Sequence, residues 1–265
     1  MNYILMVAVA LLSIIPSQAS AFGKVIKGSD NIIEKSVEVD LSGIDAISVA
    51  RGIEVKLIDS DSSTAVVTAN DNLMEYVEIE VSGCTLNITL SGKVLTAKNA
   101  DIDVVLPYNG KITRFTAASA ASIEYDTELQ LSTLSIDASG AAKVSLSAAV
   151  DGNCSIKALS SAEIDLEATI TGKCSIDAQS SAEVDLEIST AELEVSASSA
   201  AKVELEGSAT KFIANSSSAS SIDATDLVVQ HSELKATSAS TINYNSNGKY
   251  TSYSTVAATI KDAHQ

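Results

Sequence analysis

Ser160-Ser161-Ala162-Glu163-Ile164-Asp165-Leu166-Glu167 is answered twenty residues later by Ser180-Ser181-Ala182-Glu183-Val184-Asp185-Leu186-Glu187. The same pattern, degenerate but aligned, runs outward from this pair in both directions. Its apolar anchors are Ile123, Val144, Ile164, Val184, Val203, Ile222 and Ile242, at intervals of 21, 20, 20, 19, 19 and 20 residues. A repeat near twenty residues with strand-like texture is one coil of a solenoid, which buries its apolar side only by stacking on its neighbours. The expected fold is therefore all-β: a single-stranded parallel β-helix of about 20-residue coils, with the right-handed sense that parallel crossovers prefer.

Counting back by twos from each anchor supports this. Two before stand Ala121, Ala142, Ala162, Ala182, Ala201, Ser220 and Ser240; four before, Ser119, Gly140, Ser160, Ser180, Ser199, Ser218 and Ser238. Six before is again Ala or Ser, eight before is mostly large and apolar, and two after is mostly Leu or Tyr. Period-two alternation over this length is a strand signal, far from the 3.6 of a helix. The small Ala/Ser stretch in its middle reads as a corner where stacked backbones turn, with the serine column forming a hydroxyl ladder. Cys154 and Cys174 occupy one apolar column in adjacent coils, where Leu134, Leu193 and Phe212 stand in others, and read as buried thiols, with a disulfide between them the alternative.

The first 21 residues carry no charge and hold an apolar run from Ile4 to Ile15, then Ala19-Ser20-Ala21. This is the pattern of a secretory signal with an A-x-A cleavage site, and the run is short of the roughly 20 residues a spanning helix needs. Expected organisation is a signal over 1–21, a less regular β-rich portion over 22–110, solenoid repeats over 111–245 and a C-terminal cap over 246–265. Localisation follows as exported: periplasm, outer surface or extracellular. A net charge of −17 repels nucleic acid and anionic membranes. Within residues 117–245 there are 19 acidic and 6 basic side chains, so the repeats carry most of it.

Three blocks carry a resemblance. Gly28-Ser29-Asp30-Asn31 is followed by Leu41-Ser42-Gly43-Ile44-Asp45-Ala46-Ile47 and Gly52-Ile53-Glu54-Val55-Lys56-Leu57; then come the repeats; then Ile242-Asn243-Tyr244-Asn245, Gly248-Lys249 and Ser254 to Lys261. In this order they resemble the autotransporter adhesin family with a head GIN domain. The resemblance implies an exported β-helical protein, commonly of bacterial envelopes, and supplies no catalytic residue. Where that family carries Gly-Ser-Gly corners this chain has mostly Ser-Ser-Ala, so ordinary strand-like angles with negative φ are expected there.

One constellation stands out for chemistry. Glu163, Asp165 and Glu167 alternate along one strand, and Glu183, Asp185 and Glu187 repeat them one coil on. Stacking would make a grid of six carboxylates, continued by Glu204 and Glu206 and flanked by Lys143 and Lys202. Hard cations take such oxygen ligands, although a flat grid does not converge the six to eight that a dedicated Ca²⁺ site uses. Weak Ca²⁺ association is weighed against a merely solvated acidic face; no other cofactor is indicated. His231 and His264 are isolated and there is no Trp platform for a sugar, so the chain reads as no enzyme. The expected function is an adhesin-like module presenting long acidic β-faces to a glycan or an envelope or surface protein. A structural component without a ligand and a carbohydrate-active β-helix enzyme are the alternatives. End coils are the unprotected edges through which copies of the chain could pair.

Overall fold

A computed structural model describes residues 23–108, 110–245 and 248–263. The segment over 1–21 expected to be a signal, and His264, lie outside the described residues. The N-terminal portion contains β1 (Lys24–Lys27), β2 (Ile32–Glu38), β3 (Ala46–Ala50), β4 (Glu54–Asp59), β5 (Thr64–Asn70), the single helical turn α1 (Asp71–Met74), β6 (Val77–Ser82), β7 (Thr85–Leu90), β8 (Val94–Lys98) and β9 (Ile102–Tyr108). The repeats give β10 (Arg114–Ala118), β11 (Ser122–Glu124), β12 (Leu129–Leu131), β13 (Leu134–Ser139), β14 (Lys143–Val150), β15 (Cys154–Leu159), β16 (Glu163–Gln179), β17 (Glu183–Ser198), β18 (Lys202–Ser216) and β19 (Ser221–Ala236). The chain finishes with β20 (Thr241–Tyr244), β21 (Lys249–Ser254) and β22 (Thr259–Asp262).

These strands stack as a parallel β-solenoid. Its shorter face runs β7, β3, β10, β13, β15, then the second halves of β16 to β19, then β21. Its longer face runs β9, β4, β11 and β12, β14, the first halves of β16 to β19, then β20 and β22. Chain order and spatial order differ at the start: the coil of β3 and β4 lies between that of β7 and β9 and that of β10 and β11. Antiparallel strands finish this end, with β6 on β7, β5 on β9 and β2 on β5. The anchors and the alanines two before them are fully buried, and one apolar cluster continues from Val39 to Tyr244.

The corners overturn the expected angles. Ser160 and Ser161 have φ of 55° and 62°, and the corresponding pairs at 119–120, 140–141, 180–181, 199–200, 218–219 and 238–239 are likewise left-handed. Each pair forms the centre of a type I′ turn, a conformation that normally selects Gly or Asn. The amide that follows closes the turn: Ala162 donates to the Leu159 carbonyl at 3.2 Å and Ala182 to Gln179 at 3.3 Å. Within the turn, amides reach the next coil, as from Ser161 to the Ser180 carbonyl and from Ala200 to Ser218, both 3.0 Å. Stacking thus over-determines a backbone that Ser and Ala disfavour in isolation by about 1–2 kcal/mol each. Position four before the anchor consequently points to solvent, and these coils are linked there by backbone amides where the sequence suggested hydroxyls. Ser216, Ser220 and Ser240 do bond inside the corner: Ser220 Oγ lies 2.9 Å from Ser216 Oγ and donates to the Ala197 carbonyl at 2.8 Å.

Cys154 and Cys174 are register partners, buried and unbridged. A hydrogen bond to Cys154, then burial, hold the Cys174 thiol well above its usual range. At the other end of the chain, the Gly28–Asn31 block acts as a clasp. Ser29 Oγ and Asn31 Nδ2 donate to the two Asp71 carboxylate oxygens at 2.5 and 2.8 Å, and Asn70 Nδ2 donates to the Ser29 carbonyl at 2.8 Å. Gly28 is required there, since a Cβ would stand 2.3 Å from the Asn99 carbonyl oxygen.

Candidate functional site: an acidic ribbon on the longer face

On β16 and β17, alternate residues from the anchor point inward and the carboxylates between them point out, as the pleat requires. Parallel register then brings the predicted six together: Glu163 faces Glu183, Asp165 faces Asp185 and Glu167 faces Glu187. The next coil extends the last two columns with Glu204 and Glu206. Lysines bracket the first column. Lys143 reaches Glu163 at 2.6 Å and Asp165 at 3.1 Å, while Lys202 reaches Glu183 at 2.9 Å and Glu204 at 2.5 Å. These four contacts raise both ammonium groups above the usual lysine range, with Glu163 the largest influence on Lys143 and Glu204 on Lys202. All are half-exposed pairs, which solvent screens to a small contribution.

The middle column is different. Asp165, Asp185 and Glu204 stand in consecutive coils, and Asp185 Oδ1 is buried without a hydrogen-bond partner. Desolvation, then Glu204, Glu183 and Asp165, push the Asp185 carboxyl above its usual range, opposed only in part by Lys202. A shallow concavity of about 410 Å³ opens over this column, rimmed by Tyr125, Asp126, Asp165, Asp185, Glu187 and Glu204. A smaller one of about 150 Å³ adjoins it beside Glu167, Thr169 and Ser189. Among the described residues no group of three or more His, Cys, Asp or Glu is placed to hold a metal ion.

Sequence reading overlooked both ends of the ribbon. Asp126, ion-paired to Lys56 at 2.6 Å, belongs to the rim but sits in the break between β11 and β12, where the alternation lapses. Asp223 and Asp226 continue the ribbon beyond β18; Asp223 follows its anchor Ile222 in plain register, whereas Asp226 is displaced from the repeat because the register slips between Glu204 and Glu206. The extra residue of that slip lies on β19 between Asp223 and Asp226; just past it on β18, the φ of +103° at Gly207 and its approach to the Ile188 carbonyl exclude a side chain. His231 lies in the shorter-face half of β19, opposite Lys211 and away from the ribbon.

A family described as "Putative auto-transporter adhesin, head GIN domain" matches residues 43–172 and again 154–261. The chain belongs to this head GIN domain family. The overlapping double match reflects the internal repeat: a head GIN unit can be laid on either half of one solenoid. Solved structures agree on the fold. A "putative adhesin" from Parabacteroides merdae ATCC 43184 superposes with a TM-score of 0.72 at 16% identity, over 90% of this chain and 99% of that one. A "putative lipid binding protein" from Parabacteroides distasonis ATCC 8503 gives 0.71 at 14%, over 91% and 100%. A "putative adhesin" from Bacteroides fragilis NCTC 9343 gives 0.55 at 14%, over 89% and 99%. At such identities the likeness is one of fold. No curated protein is detectably similar in sequence. No helix among the described residues is long and apolar enough to cross a membrane.

Proposed function

We propose that this head GIN protein is an exported, non-enzymatic binding module whose acidic ribbon engages a partner carrying cationic groups or bridged by a divalent cation. The observation that carries this reading is the middle column. Like charges directly opposite one another destabilise a sheet, and selection for stability alone would set lysines beside them, as Lys143 and Lys202 flank Glu163 and Glu183 in the first column. Asp165, Asp185, Glu204 and Asp223 instead stack over four coils, at the cost of an unpartnered buried oxygen. Export rests on the uncharged apolar leader and its Ala19-Ser20-Ala21 terminus. The ribbon offers carboxylates without a histidine beside them, and its concavities are shallow, which supports a contact surface over a catalytic cleft. One structural neighbour is named as lipid-binding; an acidic face repels anionic headgroups and fits that ligand class poorly. A purely structural role is the second reading, supported by the flatness of the face.

The test uses the mature protein and a variant combining Asp165→Asn, Glu167→Gln, Asp185→Asn and Glu187→Gln. Binding of poly-L-lysine, and melting in millimolar Ca²⁺ against EDTA, are compared between the two. Loss of poly-L-lysine binding or of a Ca²⁺-dependent rise in Tm in the variant supports the ribbon as the contact surface. A control variant with four acidic residues neutralised elsewhere should retain it. Equal behaviour of both variants overturns the reading and leaves the structural role.

A further inference from the structure

The two ends of the solenoid are finished differently, and the difference is complementary. At the N-terminal end the outermost strands are β2 on the longer face and β6 on the shorter face; each is hydrogen-bonded to one neighbour, β5 and β7 respectively. At the C-terminal end the outermost strands are β22 on the longer face and β21 on the shorter face, bonded to β20 and β19. All four therefore keep an outer edge of unpaired backbone groups among the described residues, the feature through which sheets add strands.

Charge separates these edges. β2 and β6 together carry Glu34, Glu38, Glu78 and Glu80 against Lys35, a net of −3. β21 and β22 carry Lys249 and Lys261 against Asp262, a net of +1, on a chain whose overall charge is −17. Apolar exposure follows the same geography. Of ten large apolar side chains exposed among the described residues, six lie at the ends: Ile32, Ile33 and Val81 at one, Tyr250, Tyr253 and Val256 at the other. The last corner also departs from the rest: Ala258 closes it onto the Thr255 carbonyl at 2.9 Å without the left-handed pair, leaving Val256 fully exposed.

We infer that the occupant of each end is the opposite end of a second copy of this chain, so that the protein associates head to tail through its terminal coils. With a shared solenoid axis, β22 meets β2 of the next copy in parallel, since β2 runs with the solenoid strands. The longer face holds one strand more than the shorter, so strand pairing forms there while β21 and β6 face each other one strand spacing further apart. Head-to-head pairing would set −3 against −3 or +1 against +1. Head-to-tail contact is heterologous and does not close by itself, so it builds chains longer than a dimer. This association does not depend on the ribbon, which lies on a lateral face.

Sedimentation velocity of the mature protein at low ionic strength tests it. The expected result is mass that grows past the dimer as concentration rises and falls back towards monomer in about 0.5 M NaCl, where screening acts within a few Å. Two charge-reversed variants sharpen the result: Lys249→Glu with Lys261→Glu at one end, and Glu34→Lys, Glu78→Lys and Glu80→Lys at the other. Each alone presents like charges at both ends and should remain monomeric; mixed, they present complementary ends and should assemble again. Monomer at every concentration, an assembly that stops at the dimer, or a mixture that stays apart would each overturn the inference.

Discussion

Asp185 shows how stacking changes the meaning of a residue. On an isolated strand its carboxylate would be solvated; in the solenoid it stands between Asp165 and Glu204 with Oδ1 shut off from water. Its carboxyl is raised by desolvation and then by neighbouring charge. A carboxyl raised in the folded state penalises that state at neutral pH. The penalty disappears as pH falls through the raised value towards the usual 3.8, because the native protein binds the proton first. Asp185→Asn is therefore expected to raise Tm at pH 7 and to converge with the parent protein near pH 4. Calorimetry across that range checks it, and a variant less stable at pH 7 would show that the carboxylate is held by interactions stronger than its repulsions. The same register explains why Cys154 and Cys174 remain thiols: directly opposed parallel strands set their Cα atoms side by side without the Cβ approach a disulfide uses.

Turns are where the chain bears its strain. Thirteen Ser or Ala residues at the seven corners of the repeats have φ between 54° and 64°, and Gly140 alone among them is suited to such angles, as Gly52 is at the corner between β3 and β4. The backbone is held by a closing bond within the turn at every corner but that of Gly140 and Ala141, whose amides fasten it by donating to Leu159 and Ser160 of the next coil, so the sequence tolerates residues that a lone hairpin would reject. Ala200→Gly should accordingly stabilise the protein by up to about 1 kcal/mol, strain relief exceeding the entropy that Gly adds to the unfolded chain. In a chain of this size that is a rise of about 2–4 °C in Tm. A fall in Tm would mean that the Ala200 methyl is packed as well as strained. The alternation of Ala, anchor and Leu that builds the faces was legible in the sequence. The sign of φ at the corners was not, because it is imposed by inter-coil hydrogen bonds that no local propensity encodes.

Across the whole molecule, each coil touches only its neighbours, so stability is distributed as in other solenoids and the ends should open first. The two ends are not equivalent. Antiparallel β2, β5 and β6 and the Asp71 clasp cover the N-terminal coils, whereas every residue of β21 is exposed. Hydrogen exchange on dilute protein in high salt is expected to be fastest over 249–262, slower over 32–82 and slowest over 154–209. Uniform protection along the chain would show a molecule that opens only as one unit. The −3 and +1 edges at these termini are a property of the folded assembly of strands, since their residues lie far apart in the chain.

Periodicity alone determined the parallel solenoid, the inward columns and the pairing of Glu163, Asp165 and Glu167 with Glu183, Asp185 and Glu187. A twenty-residue repeat of alternating strand has one economical way to bury its apolar side, and stacking in register follows from it. Tertiary structure decided what depends on interactions between distant segments. It placed the coil of β7 and β9 outside that of β3 and β4, set left-handed corners on serine and alanine, carried the ribbon through the slip between Glu204 and Glu206, and gave the two ends opposite charge. Side-chain pattern is written locally, whereas backbone strain, burial of a single oxygen and the order of coils arise only when remote strands share hydrogen bonds.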